Sequence, residues 1–168
     1  MLSEKMTKAI NTQINREIYS AYLYLGMASY AAHKGLNGIA NWFNVQVQEE
    51  LSHAKKMYDY VFQAGGRVML LDIESPQQEF SSARELFEKT LAHEKMVTCL
   101  INKLVDIAKE EKDPATESFL KWFVTEQIEE ETTPTNILRK MESKGTGNNG
   151  LSTVNAELGK RVFTPPRA

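Results

Sequence analysis

Apolar positions recur in alternating steps of three and four along four long stretches of the chain, the spacing of a helix with one face turned to a core. The first stretch predicts a helix from about Ser3 to His33, with the inward stripe Met6, Ile10, Ile14, Glu17, Ala21, Tyr24 and Ala28. Ser3 is a good N-cap, Glu4 suits the first turn, and Gly35 supplies the helix stop. The second helix begins near Asn37-Gly38 and ends at Gly65-Gly66; its stripe is Ile39, Phe43, Gln46, Glu50, His53, Met57 and Tyr60. The turn between these two helices is short, so they are expected to be antiparallel neighbours.

Residues 65–81 break the period. Arg67-Val68-Met69-Leu70-Leu71 is apolar but too short for another bundle helix, and Ser75-Pro76 is a breaker. About fifteen residues in helix, at ~1.5 Å each, could not return along a long helix, whereas extended at ~3.3 Å each they could. The stretch therefore predicts a long crossover, with helices two and three parallel and Leu70, Leu71 and Phe80 covering bundle or subunit surface.

The third helix is expected from Ser82, where Ser82-Ala83-Arg84-Glu85 matches a capping box, to about Lys112. Its stripe reads Phe87, Leu91, Glu94, Val97 or Thr98, Ile101, Leu104 or Val105, and Ala108. Asp113-Pro114 opens a fourth helix with an N-cap and a proline in the first turn. Its stripe is Leu120, Phe123, Gln127, Glu130, Pro134, Ile137 and Met141; Pro134 cannot donate to the Glu130 carbonyl and is expected to distort the helix locally. Residues 145–150 read as a linker, Leu151, Val154 and Leu158 as one face of a short fifth helix, and 164–168 as an extended or disordered tail. The expected fold is all-α: an antiparallel four-helix bundle over residues 1–144 with one long crossover. Residues 145–168 complete the same domain with the linker, the short C-terminal helix and the tail.

Each of the four stripes carries ligand-type polar residues near mid-length: Glu17, Glu50 with His53, Glu94, and Gln127 with Glu130. Taken singly, a Glu or His on an inferred stripe is most often a boundary residue or a satisfied core group. Together they are harder to satisfy. In a bundle the four mid-heights coincide, and a desolvated, unpartnered carboxylate costs several kcal/mol against a net stability of about 5–15 kcal/mol. The stripes hold no Lys or Arg at those heights. Two divalent cations would balance four carboxylates, so the pattern predicts a dinuclear metal site.

Composition narrows the partners. A formal net charge of −2 gives no reason to expect nucleic acid, and no apolar run approaches the ~20 residues needed to span a bilayer. The N-terminal residues lack the apolar core of a signal peptide, and the single Cys99 fits a reducing cytoplasm while ruling out an internal disulfide or thiolate zinc cluster. With only three histidines, a metal site must be mostly carboxylate; His33 and His93 lie off the stripes and are expected at the surface. Oxygen ligands with one nitrogen suit iron or manganese; zinc could bind without redox chemistry, and an all-oxygen calcium site would not need His53.

The stretches around Asn15-Arg16-Glu17-Ile18-Tyr19, Glu49-Glu50-Leu51-Ser52-His53-Ala54 and Glu126-Gln127-Ile128-Glu129-Glu130-Glu131 resemble the prokaryotic non-haem ferritins, and the similarity extends over essentially the whole chain. Ferritin-like di-iron bundles use a Glu from each of two helices and a Glu-x-x-His from each of the others. This chain has one such motif, and its fourth helix offers Gln127-x-x-Glu130 instead.

The resemblance implies Glu17, Glu50 and His53 on one iron, Glu50 bridging, and Glu94 and Glu130 on the second with Gln127 nearby. Tyr24 is implied as a hydrogen-bonding, redox-active neighbour; a core tyrosine bonded to Glu94 fits the sequence equally. Glu49, Glu126 and Glu129, with Glu130 shared, resemble the third iron site of some members; such an acidic run is more commonly a solvated face. A haem-ligating Met is replaced by Leu51, and a rubredoxin-type cysteine pair is absent, so no haem or rubredoxin centre is expected.

The implied function is iron storage with ferroxidase activity: two Fe²⁺ are oxidised by dioxygen or peroxide and Fe³⁺ is kept as a ferric oxy-hydroxide mineral. The resemblance further implies a cage of about twenty-four identical subunits, with Asp113 and Glu117 near one channel and the fifth helix on another axis. A di-iron oxidoreductase that stores nothing, and a metal-free helical interaction module, remain alternatives.

Overall fold

A computed structural model of the chain describes residues 1–144 and 148–165, with the backbone alone at 148 and 149. Five helices follow in order: α1 (Glu4–His33), α2 (Asn37–Gln63), α3 (Ala83–Glu110), α4 (Pro114–Ser143) and α5 (Asn148–Leu158). Their ends are set by local chemistry. Ser3, Ser82 and Asp113 are N-caps, their side chains accepting the backbone N–H of Met6, Glu85 and Thr116 respectively. The capping box on α3 is displaced by one residue: the Glu85 carboxylate accepts from the N–H and hydroxyl of Ser81 instead of returning to Ser82.

The first three long helices close with the same paired bonds. Leu36 and Gly35 donate to Ala31 and Ala32, Gly66 and Gly65 to Val61 and Phe62, and Asp113 and Lys112 to Ala108 and Lys109. The left-handed residue that makes this turn is glycine in the first two cases, at φ 73° for Gly35 and 77° for Gly65, but Lys112 at φ 55° in the third. That third turn leads straight into the Asp113 cap, so α3 and α4 are joined with no intervening loop.

The buried apolar residues fall into two clusters, and their membership fixes the topology. One joins the C-terminal half of α1 (Tyr24, Met27, Ala31), the start of α2 (Ile39, Phe43), the start of α3 (Leu86, Phe87) and the end of α4 (Ile137, Met141). The other joins the start of α1 (Met6, Ile10, Ile14), the end of α2 (Met57, Val61), the end of α3 (Ile101, Leu104) and the start of α4 (Leu120, Phe123). Hence α1 and α2 are antiparallel, α3 and α4 are antiparallel, and α2 and α3 point the same way. The long connection between α2 and α3 carries the chain back along the bundle, pinned to α1 where Asn11 donates to the Arg67 carbonyl and accepts from the Met69 N–H, each at 3.0 Å. Phe80 at its end is buried against Tyr30, while Leu70 and Leu71 remain exposed on the single chain.

Several expected boundaries shift. On α3, Thr90 and Leu86 take the buried positions and Leu91 is half-buried; on α2, Val61 is buried and Tyr60 only half so, stacked on Phe119. Pro134 does not end α4, and Pro134, Ile137 and Met141 all stay buried, so the stripe keeps its register past the missing hydrogen bond. Residues 148–150, expected in the linker, are the first turn of α5; the rest of that linker, 145–147, and the tail's 166–168 lie outside the described residues. Among the described residues no helix is long and apolar enough to cross a membrane.

Candidate metal centre

Between the two apolar clusters lies a belt of buried polar side chains, one contribution from each long helix. Glu17, Glu50, His53, Glu94, Gln127 and Glu130 are all less than 8% exposed. Their ligand atoms converge in overlapping triads: Glu17, Glu50 and His53; Glu50, Glu94 and Glu130; and His53, Glu126 and Glu130, the members of each within 4.8 Å of one another. Glu50 belongs to the first two, His53 to the first and third, and Glu130 to the last two, so the triads share their ligands. His53 presents Nδ1 at 3.5 Å from a Glu50 oxygen, while its Nε2 is buried without a hydrogen-bond partner and lies 3.9 Å from Glu126. A buried imidazole nitrogen with no protein partner, facing carboxylates, is the arrangement a cation would complete.

The carboxylates are held by amides and a phenol. Gln13 donates to Glu17 at 2.8 Å, and Gln46 donates to Glu130 at 2.6 Å and weakly to Glu50 at 3.5 Å. Tyr24, fully buried, donates its hydroxyl to Glu94 in a short bond. Gln127 donates to the Glu94 backbone carbonyl and carboxylate at 3.2 and 3.3 Å and to Thr98 at 3.2 Å, so its amide is engaged with α3. A cavity of about 310 Å³ opens between α3 and α4, lined by Thr98, Asn102, Val124, Glu131 and, alone among the buried ligand set, Gln127.

Electrostatics show what the site lacks. Burial, with the charges of Glu130 and Glu17, outweighs His53 and raises the Glu50 carboxyl to about 8. Burial likewise raises Glu130 to about 7, and burial with Glu50 and Glu130 holds Glu94 well above the carboxylate range. Burial and Glu94 push the Tyr24 phenol well up. Burial opposes a charge on His53, but the neighbouring carboxylates of Glu126, Glu50 and Glu17 prevail and raise it. Without cations the belt is thus a proton-sharing cluster; divalent cations would displace those protons.

The residues expected at a third site are not gathered equally. Glu126 is half-buried beside His53 and Glu130, whereas Glu129 is exposed. Glu49 is half-buried and ion-paired at 2.5 Å to Arg161, which also donates to Gln46 at 2.6 Å. A basic residue therefore does reach the belt, from beyond α5 and not from a stripe. His93 is the other correction: expected at the surface, it is largely covered, hydrogen-bonded to Ser20 at 2.8 Å and edge-on to the Tyr24 ring. Burial and the nearby Arg16 lower it to about 4, so it is a neutral wall behind Tyr24. His33 is exposed, as expected, and Cys99 is exposed on α3. Gln46 was visible as a polar interruption of the α2 stripe; Gln13 and Arg161 left no periodic signal. Asp113, expected near a channel, spends its carboxylate on the α4 cap.

The four-helix fold with this belt is matched by a family model for the ferritin-like domain over residues 7–143. The chain belongs to the non-haem ferritin family. It is 42% identical to a bacterial non-heme ferritin of Bacteroides fragilis over 96% of this chain and all of that one. It is 39% identical to a probable bacterial non-heme ferritin-like protein of Haemophilus influenzae over 95% of this chain and 96% of that one. Among solved structures, an open-pore ferritin of the hyperthermophilic archaeon Archaeoglobus fulgidus superposes with a TM-score of 0.95 at 49% identity, covering 96% of this chain and all of that one. Fold, family and ligand clusters together support an iron-binding, ferroxidase-type non-haem ferritin.

Proposed function

We propose that the chain stores iron: it oxidises Fe²⁺ at the belt and keeps the Fe³⁺ as a ferric oxy-hydroxide mineral inside a hollow homo-oligomeric cage. The observation that carries the reading is the Glu50-centred pair of triads, four carboxylates and one imidazole with no buried basic residue inside them. Two Fe²⁺ give one electron each to dioxygen, which with two protons leaves as hydrogen peroxide; the protein's part is to hold both ions at one bridging carboxylate and balance their charge.

Glu17, Glu50 and His53 take one ion, Glu94 and Glu130 the other. Gln127 offers an amide where a charged ligand would bind harder, and it borders the α3–α4 cavity, which suits an ion that must leave. Tyr24 sets the Glu94 orientation, and its buried phenol is placed to give up an electron only with its proton.

The cage reading is supported by the exposed apolar side chains of the crossover and α1, Met69, Leu70, Leu71, Ile73, Tyr22 and Leu25, an apolar surface that a second subunit would cover. The relatives' names, ferritins throughout, point the same way. About twenty-four copies would close such a shell. The test is aerobic titration with Fe²⁺, then size exclusion with iron and protein measured in the same fraction. Hundreds of irons co-eluting with a large oligomer are expected; at most two irons per chain on a small oligomer would leave a di-iron oxidase without storage.

A further inference from the structure

The C-terminal segment after α5 folds back onto α2 and delivers a guanidinium to the edge of the metal belt. Arg161 donates one nitrogen to the Glu49 carboxylate at 2.5 Å and another to the Gln46 carbonyl oxygen at 2.6 Å, with a longer contact to the Trp42 backbone carbonyl at 3.4 Å. Its plane lies over the Trp42 ring at 4.7 Å. The backbone around it is fixed as well: Asn41 donates to the Arg161 carbonyl at 2.9 Å, and the Asn155 side chain accepts the Ile39 N–H at 2.9 Å. The guanidinium is therefore pre-organised, stacked on one side and forked between two acceptors, which is where arginine gains most over lysine.

Two consequences follow from these contacts. Gln46 uses its carbonyl on Arg161, which turns its NH₂ toward Glu130 and Glu50. Glu49, an α2 carboxylate on which the charge of Glu126 acts, already has a cation. A metal ion seated between Glu126 and Glu130 beside His53 meets two carboxylates from α4, while Glu49, close enough for its charge to act on Glu130, is held by Arg161.

We infer that Arg161 is a built-in competitor for a third iron ion: the docked tail holds one oxygen of Glu49, and an ion at Glu126 and Glu130 that recruits this carboxylate competes with the guanidinium for it. This rests on the iron-site reading above. The exchange is cation for cation, so Glu49 is never left without a positive partner, and the tail reports on the occupancy of the third position. The first two ions, held by Glu17, Glu50, His53, Glu94 and Glu130, have no ligand that is hydrogen-bonded to Arg161.

The test is anaerobic calorimetric titration of the full, metal-free chain with Fe²⁺, comparing the native protein with Arg161→Gln and with Arg161→Gln/Glu49→Gln. Two tight events in all three proteins are expected. The third is expected to be at least tenfold tighter in Arg161→Gln, and that gain to vanish in the double variant. A third event equal or weaker in Arg161→Gln, no third event in any protein, or a gain that survives Glu49→Gln would overturn the inference. Absence of the first two events would instead overturn the iron-site reading itself. A second measurement needs no variant: in the native chain, amide hydrogen exchange of residues 159–163 is expected to rise as the third ion binds and to be unchanged by the first two. Exchange that stays flat through the third event would also overturn it.

Discussion

The Gln46 amide on α2 crosses the bundle to Glu130 on α4, nitrogen to oxygen 2.6 Å, and so ties the two helices at the level of the metal belt. Because Gln46 accepts from Arg161 at its other end, its orientation is not free to reverse. Gln46→Leu removes the donor and leaves Glu130 buried with one partner fewer. The expected result is Fe²⁺ binding weakened about tenfold at the position Glu130 serves, within the roughly 10–100-fold typical of supporting residues, with the other tight event unchanged. Anaerobic titration of the variant checks it; equal loss at both positions would show a general loss of fold instead.

The metal-free protein should gain stability as pH falls from about 8 to 6.5. Glu50 and Glu130 have folded-state values near 8 and 7, and Glu94 is also raised, all above the unfolded value near 4.5. In this window the folded chain therefore holds more protons than the unfolded one, and the slope of unfolding free energy with pH is negative. Raised His53 acts in the same direction. Lowered His93 opposes it only slightly, because the unfolded histidine is no more than about half protonated at the lower edge of the window. The expected gain is on the order of 1–2 kcal/mol across the window, read from denaturant titrations of the chelator-treated chain. With Zn²⁺ bound the trend should reverse, since ion binding must expel those protons.

Gly38→Ala is expected to destabilise, against its helix propensity. In an exposed helix interior the change would add up to about 1 kcal/mol. Here a Cβ at Gly38 would stand 1.7 Å from the Asn155 carbonyl oxygen of α5, a backbone atom. The two helices must separate, at a cost of about 1–3 kcal/mol, and the tail that carries Arg161 must loosen with them. Faster hydrogen exchange over residues 150–161 with α1–α4 protection retained is the expected pattern.

What the sequence made legible is what repeats within one helix. The stripes placed Glu17, Glu50, His53, Glu94, Gln127 and Glu130 on buried faces, and all six are buried where they meet. The parallel pairing of α2 and α3 followed from the reach of an extended crossover. The errors were of two physical kinds. Where a face is wider than one stripe, period alone cannot choose between neighbours, hence Leu91 for Thr90. Where a residue matters through a partner distant in sequence, it leaves no local trace. His93 is largely covered because Ser20 and Tyr24 on α1 lie against it, and Arg161 reaches Glu49 from 112 positions away.

The central claim is that Fe²⁺ is oxidised at the Glu50-bridged pair of triads. Stopped-flow measurement of the initial rate of Fe²⁺ oxidation, at about two ions per chain, tests it most directly when the native protein is compared with Glu50→Ala and His53→Ala. Circular dichroism of both variants is the control that they remain helical before the rates are compared. The account predicts a fast phase in the native chain and at least a tenfold slower one in each variant; initial rates unchanged in both would contradict it.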